Sequence, residues 1–161
     1  MVHQQSSITQ GILFNSITPQ SLCQTSLTCL RSVDTFSLQT ATWAGHCQKS
    51  GSIDGDRASA QFNHPTGLTI VNGTSMYICD AWNKAIRVID LRDDTVTTLT
   101  TLSEAPVDLT VHPVGEFLLV ITETNLLIAA MNNGTVYTMS SGSPHRSGIY
   151  QTIIHSLLCF I

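Results

Sequence analysis

The sequence predicts an all-β protein built from repeated antiparallel sheets. Short apolar runs alternate with turn signals along most of the 161 residues, and no segment shows a helical apolar period of comparable strength. Thr and Ser fill many polar positions, while charged residues make up 11% of the chain against about 25% in an average soluble domain. Blocks of residues also recur at constant spacing. Together these observations indicate a repeat protein made of β-strands.

The repeat is clearest in the middle of the chain and weaker on both sides. Upstream, Cys29-Leu30-Arg31 stands 56 positions before Ala85-Ile86-Arg87. Downstream, Pro65-Thr66-Gly67-Leu68 returns after 41 positions as Pro106-Val107-Asp108-Leu109. A unit of about 40 residues with several short β-runs has the size of one four-stranded propeller blade. The longer upstream spacing indicates a glycine-rich insertion at 45–61.

The complete unit, residues 62–102, is expected to hold a full blade. Its apolar runs predict four strands at 66–71, 76–79, 85–90 and 95–102. Asn72-Gly73 is a strong signal for a two-residue hairpin between the first two strands. The strand at 85–90 is apolar on both faces, which is expected of a strand covered by a neighbouring sheet on each side.

Two incomplete units flank the complete one. A divergent unit at 103–141 has predicted strands at 107–111, 117–122, 126–131 and 135–139, and a partial unit occupies 21–45. Closing a ring takes at least about four blades. The sequence therefore predicts a fragment, a divergent gene model or one part of a larger assembly.

The two ends of the sequence carry less pattern. Residues 1–20 form an irregular polar lead without the basic region and apolar core of a signal peptide. Residues 142–161 form a tail of uncertain structure. Its apolar stretch, 149–161, is shorter than the about 20 residues that span a bilayer, and it is compatible with a buried strand, a truncated membrane segment or unrelated sequence.

Motif residues in and just before the complete unit resemble the NHL repeat. The matching positions are Asp54, Gly55, Phe62, Pro65, Gly67, Tyr77, Asp80, Asn83, Arg87 and Asp90. The resemblance implies a β-propeller fragment of four-stranded antiparallel blades, commonly six-bladed when complete, whose loops form a binding face. It also implies structural roles in which Asp80 caps the loop to Asn83, Asn83 bonds local backbone, and Arg87 reaches a carboxylate or carbonyl.

The pairing state of the cysteines depends on the cellular compartment of the protein. The resemblance to extracellular NHL-like units implies a disulfide between Cys29 and Cys47, which would favour an extracellular protein or ectodomain. The alternative is a pair of free thiols in a reducing compartment. Cys23 and Cys79 occupy positions where the repeat usually has Ala, so they are expected to be small core residues.

The leading functional hypothesis is a non-catalytic scaffold that binds a protein or another ligand, since no set of nucleophile, base and orienting residue emerges. Trp82, on the loop after the second strand, is the candidate contact residue, although packing onto the adjacent blade would explain it as well. No cofactor or metal is expected. The alternative is a fragment of a metal-dependent lyase or hydrolase on the same fold, in which histidines such as His64 and His112 would act.

Charge and sequence motifs limit the partners. A net charge of −4 with 7 Lys and Arg residues leaves no basic footprint for a nucleic acid, so an unidentified protein partner is favoured. No segment predicts a membrane span. Asn72 and Asn133 each begin an Asn-Gly-Thr pattern that fits both N-glycosylation and a hairpin turn.

Overall fold

A computed structural model describes residues 21–25, 27–34, 36–113 and 115–141. Its elements are β1 (Ser21–Thr25), β2 (Cys29–Asp34), β3 (Thr40–Gly45), β4 (Gly55–Asp56), β5 (Pro65–Val71), β6 (Ser75–Asp80), a 3₁₀ helix (Ala81–Asn83), β7 (Ala85–Asp90), β8 (Thr95–Thr101), β9 (Pro106–Val111), β10 (Phe117–Thr122), β11 (Asn125–Ala130) and β12 (Val136–Ser141). The predicted all-β class is confirmed for this part of the chain. The predictions for residues 1–20 and 142–161 lie outside it.

The strands form three antiparallel sheets that follow one another along the chain. The first sheet has the order β1-β2-β3, and the third has the order β9-β10-β11-β12. The second sheet has the order β5-β6-β7-β8 with β4 added at the outer edge. The complete unit was expected to have four strands, and the fifth comes from the insertion, where Gly55 and Asp56 pair with Val96 and Thr95.

The second sheet is buried on both faces. Its side chains alternate between the two faces, and each face packs against a neighbouring sheet. Met76 and Ile78 of β6 enter a core shared with Leu30 of the first sheet. Tyr77 and Cys79, one residue along in each case, enter a second core shared with the third sheet. The members of that third-sheet group are Leu109, Leu118, Val120, Leu127 and Ala129. This arrangement explains why the strands of the complete unit are apolar at nearly every position.

The second and third sheets approach closely at Gly67, where β5 passes β9. A Cβ atom on Gly67 would lie 2.9 Å from the Cα of Asp108 and would also meet that residue's carboxylate. Beside this contact, the Thr66 hydroxyl donates to the carbonyl of Pro106 at 3.3 Å. In the repeat alignment Asp108 takes the position that Gly67 holds one unit earlier. The carboxylate of one unit thus occupies space that the glycine of the other leaves open.

The connecting segment, residues 46–61, joins the first sheet to the outer edge of the second. Gly45 at the end of β3 donates its N–H to the carbonyl of Arg57 at 2.9 Å. The Arg57 guanidinium lies 4.6 Å from the ring centre of Trp43 and 3.2 Å from a carboxylate oxygen of Asp94. The Arg57 N–H also donates to the carbonyl of Asp94 at 2.8 Å. The insertion is therefore an ordered bridge between two sheets.

Candidate functional site

One end of the sheets, called here the loop end, collects the connections β1–β2, β6–β7 and β10–β11 and the link 102–105. The β6–β7 connection is the short 3₁₀ helix Ala81–Asn83, followed by Lys84, whose φ of 50° lies in the left-handed region. Leu102 donates its N–H to the carbonyl of Lys84 at 2.6 Å, and the Lys84 ammonium donates to the carbonyl of Ser103 at 3.1 Å. These contacts fix the loop against the link between the second and third sheets.

Trp82 stands at the tip of this loop and is 68% exposed. Its ring stacks on His64, with ring centres 4.9 Å apart and planes 8° from parallel. Backbone hydrogen bonds hold both residues of this pair. The N–H of Trp82 donates to the carbonyl of Asn63 at 3.0 Å, and the N–H of His64 donates to the carbonyl of Leu27 at 2.7 Å. His64 is held at a φ of 56°, in the left-handed region. The loop end therefore presents an aromatic side chain in a defined orientation.

Arg87 lies under this loop, fully buried, and organises the surrounding backbone. Its Nη1 donates to Asp80 Oδ2 at 2.8 Å and to the carbonyl of Gln61 at 3.0 Å. Its Nη2 donates to Asp54 Oδ1 at 2.6 Å and to the carbonyl of Ile53 at 2.9 Å. A planar guanidinium suits such a set because its donors point outward in fixed directions. The connecting segment and the second sheet thus meet at one side chain.

Asp80 and Asn83 extend the network to the loop itself. Asp80 is fully buried and accepts the N–H of Asn63 at 2.7 Å on Oδ1 and the side-chain amide of Asn83 at 2.8 Å on Oδ2. The Asn83 amide also donates to the carbonyl of Gly51 at 2.7 Å. Since Asn63 immediately precedes the histidine under Trp82, the network supports the aromatic pair from below. The hydrogen bonds of Asp80 and Asn83 therefore go to one another, to Arg87 and to backbone.

Asp54 forms the solvent-facing edge of the same network, and its side chain is 47% exposed. Partial burial opposes its ionisation, but hydrogen bonds from Thr98 and Arg87 outweigh that effect and hold the pKa of the carboxyl below its ordinary value. The Thr98 hydroxyl and N–H donate at 2.9 and 3.0 Å. Asp54 therefore stays charged and ties the segment before β4 to β8.

The remaining motif residues lie in or beside the second sheet. Phe62 is buried and its ring centre lies 5.1 Å from the Arg87 guanidinium. Burial raises the pKa of Tyr77. Asp90, at the far end of β7, accepts two hydrogen bonds from the Arg92 side chain, which lower its pKa to about 2. Gly55 begins β4, and Pro65 and Gly67 belong to β5.

The third sheet supports its loop with different residues. Thr122 stands where the second sheet has Asp80 and accepts the N–H of Asn125 at 2.9 Å. Glu104 accepts hydroxyl hydrogen bonds from Thr122 and Thr124 at 2.6 and 2.5 Å, and these lower the pKa of its carboxyl. Sequence reasoning did not single out Glu104, because nothing along the chain shows that the link 102–105 meets the β10–β11 loop.

Cys29 and Cys47 form a disulfide, with Cα atoms 4.7 Å apart. The bridge joins the first residue of β2 to the connecting segment, so the paired alternative is the one that the structure contains. Cys79 is a buried thiol in β6, and its pKa is raised well above the ordinary value by burial and by the negative charge of Asp108. A thiol in that state is a core side chain and a poor nucleophile.

Asp108 is a second residue that sequence reasoning left aside. Burial raises the pKa of its carboxyl, although Oδ1 accepts the N–H of Leu109 at 2.8 Å. Its signal in the sequence was the replacement of a repeat glycine by a charged residue. Within the described ranges, no three His, Cys, Asp or Glu side chains come together as a set that could hold a metal ion. That part of the chain also contains no helix long and apolar enough to cross a membrane.

Comparison with known proteins gives structural neighbours and no sequence match. No family model and no curated protein matches the chain, so the NHL resemblance rests on the motif residues alone. An auxiliary nutrient binding protein of Bacteroides ovatus is 16% identical with a TM-score of 0.54, covering 74% of this chain and 34% of its own. A second auxiliary nutrient binding protein, from Bacteroides thetaiotaomicron, is 12% identical with a TM-score of 0.53, covering 76% and 36%.

A hydrazine synthase structure from Kuenenia stuttgartiensis is also similar, at 13% identity with a TM-score of 0.52, covering 78% of this chain and 34% of that one. The chain thus spans about a third of the length of these neighbours. Proteins described in such different terms share this arrangement of strands. The chain is therefore similar to all of them in fold.

Proposed function

We propose that the three sheets are blades of an NHL-type β-propeller, with limits at 21–45, 62–102 and 103–141. Three features support this. The sheets are formed largely by consecutive antiparallel strands, they stack through two successive cores, and the first strands of the second and third sheets lie side by side. Stacking of repeated four-stranded sheets is the way propellers are built.

We further propose that the loop end binds a protein or another ligand and that Trp82 is its anchor. The observation that carries this is the exposed Trp82 ring, held against His64 above a network of hydrogen bonds centred on the buried Asp80. An aromatic side chain fixed before binding loses little conformational entropy when a partner covers it. Two structural neighbours are described as nutrient binding proteins, which fits a binding role for this fold.

The test is binding of the 161-residue chain to arrays of immobilised oligosaccharides and peptides. Trp82→Ala is expected to weaken binding to the best array ligand by about 30-fold, the effect of an interface hot spot of about 2 kcal/mol. Tyr137→Ala is the matched control, because Tyr137 is 60% exposed on β12, outside the loop end. Equal binding by wild type and Trp82→Ala, or a complete lack of binding by the folded wild type, would contradict the proposal.

A further inference from the structure

Asn72 and Asn133 lie at the end of the sheets opposite to the loop end, which is called here the hairpin end. Asn72 lies in the turn between β5 and β6, and Asn133 lies in the turn between β11 and β12. Because neighbouring strands are antiparallel, β6 leads away from the Asn72 turn and ends beside Trp82. A strand of six residues covers about 20 Å. Asn72 is thus separated from the candidate binding residue by about the length of one strand.

The Asn72 side chain is available for modification. Asn72 and Gly73 have φ values of 52° and 67°, which together form a tight turn with both residues in the left-handed region. The turn is closed by backbone alone, since the N–H of Thr74 donates to the carbonyl of Val71 at 3.1 Å. Asn72 is exposed, and its Nδ2 donates no hydrogen bond to any residue that the structure describes.

The Asn133 side chain takes part in its own turn through Oδ1, which leaves Nδ2 free. Its Oδ1 accepts the N–H of Thr135 at 3.0 Å, so Nδ2 remains without a partner among the described residues. The next residue, Gly134, is buried against the second sheet, where an added Cβ would lie 3.0 Å from the Cβ of Thr100. The glycine therefore takes the inward position of the turn, and Asn133 remains exposed.

We infer that both asparagines carry N-linked glycans when the chain matures in a glycosylating secretory compartment. Each exposed Asn is followed by Gly and Thr, which is the acceptor pattern. The disulfide between Cys29 and Cys47 independently points to an oxidising compartment. The inference does not depend on the binding role proposed for Trp82.

The donor would be an oligosaccharide linked through a diphosphate to a polyprenyl lipid. The bond from the first sugar carbon to the diphosphate oxygen breaks, the lipid diphosphate leaves, and that carbon bonds to Nδ2 of the asparagine. The proton lost from Nδ2 passes to a base of the transferase. No oxidation or reduction is involved. The glycan on Asn72 would extend from the hairpin end, about one strand length from Trp82.

The experiment expresses all 161 residues behind a cleavable secretion leader in cultured eukaryotic cells and maps intact glycopeptides by mass spectrometry. Glycan mass is expected on both Asn72 and Asn133, and none on Asn132, which is exposed but lacks the acceptor pattern. Thr74→Ala should remove the first glycan only, and Thr74→Ser should retain it. Intact glycopeptides are read because Asn-Gly pairs also deamidate spontaneously.

A free-thiol count on the same secreted protein shows whether the Cys29 and Cys47 disulfide has formed. Recovery of disulfide-bonded protein with either asparagine unmodified would overturn the inference for that site. If Cys29 and Cys47 are both free thiols in the recovered protein, the disulfide no longer supports an oxidising compartment. This result would also count against the inference. Because the mapping uses the unaltered sequence, the conclusion does not depend on whether any variant folds.

Discussion

Replacing Arg87 by Met is expected to destabilise the protein more than any other single change in the network below Trp82. Arg87 is fully buried and donates four hydrogen bonds, two to carbonyls and two to carboxylates. One of those carboxylates, Asp80, is also fully buried. Removing the guanidinium therefore leaves a buried negative charge with no cation beside it.

The magnitude follows from this geometry. Removing one partner of a buried ion pair costs about 3–5 kcal/mol, because the remaining charge is uncompensated. Asp54, the other carboxylate, is 47% exposed, so water can replace its contact with Arg87. We therefore expect Asp54→Asn to cost about 1 kcal/mol or less. A loss of 3–5 kcal/mol is a large part of the about 5–15 kcal/mol that stabilises an ordinary domain.

The assay is urea unfolding at pH 7, followed by circular dichroism and by tryptophan fluorescence. With a slope of about 2 kcal/mol per molar urea, Arg87→Met should lower the unfolding midpoint by about 2 M. Arg87→Lys keeps the charge but reaches fewer acceptors, so an intermediate midpoint is expected. It also provides a measurable variant if Arg87→Met does not fold.

A double-mutant cycle separates charge from packing. If the uncompensated carboxylate causes most of the loss, Asp80→Asn introduced into Arg87→Met should restore part of the free energy of unfolding. The reasoning is refuted if Arg87→Met costs less than about 1 kcal/mol, or if Asp80→Asn lowers stability equally in both backgrounds.

Three further predictions concern the joins between sheets. Replacing Cys29 and Cys47 by Ala should cost about 3 kcal/mol in calorimetry, since the bridge closes a loop of 18 residues, while wild type treated with reductant should show the same loss. Gly67→Ala should cost about 1–3 kcal/mol through its clash with Asp108, and Asp108→Ala should recover part of that loss in urea unfolding, whereas additive losses would contradict the contact. Burial raises the folded-state pKa of Asp108, so the contribution of the protonated carboxyl to stability is complete below the unfolded-state pKa and is lost as pH rises through the folded-state pKa. Asp108→Asn should therefore be more stable than wild type at pH 7 but equal to it near pH 3. A constant difference in the free energy of unfolding across this pH range would contradict the assignment.

Features set by neighbouring residues could be predicted from the sequence. Asn72-Gly73 defines the first hairpin because both residues accept left-handed backbone, and the alternation in β6 assigns its side chains to two cores. Trp82 could be placed on an exposed loop because it follows a strand that ends at Asp80. These are consequences of local geometry.

Features made by distant parts of the chain could not be read from the sequence. The strand Gly55–Asp56 exists only through pairing with β8, about forty residues later, and two residues carry no periodicity. The support that Glu104 gives to Thr122 and Thr124 likewise needs the third sheet in place. The disulfide remained one of two alternatives because pairing depends on the compartment as well as on distance.

The connecting segment, 46–61, has a consequence for the order in which the protein opens. It is tied to the first sheet by a covalent bridge and to β8 of the second sheet by strand pairing, so those two sheets should lose protection from hydrogen exchange as one cooperative unit. The third sheet follows through the link 102–105 and has no covalent cross-link to the second among the described residues. Its amide protons, particularly those of β11 and β12, should therefore exchange at lower free energies than those of β6 and β7. The segment that interrupts the repeat pattern thus makes unfolding proceed from one side of the molecule.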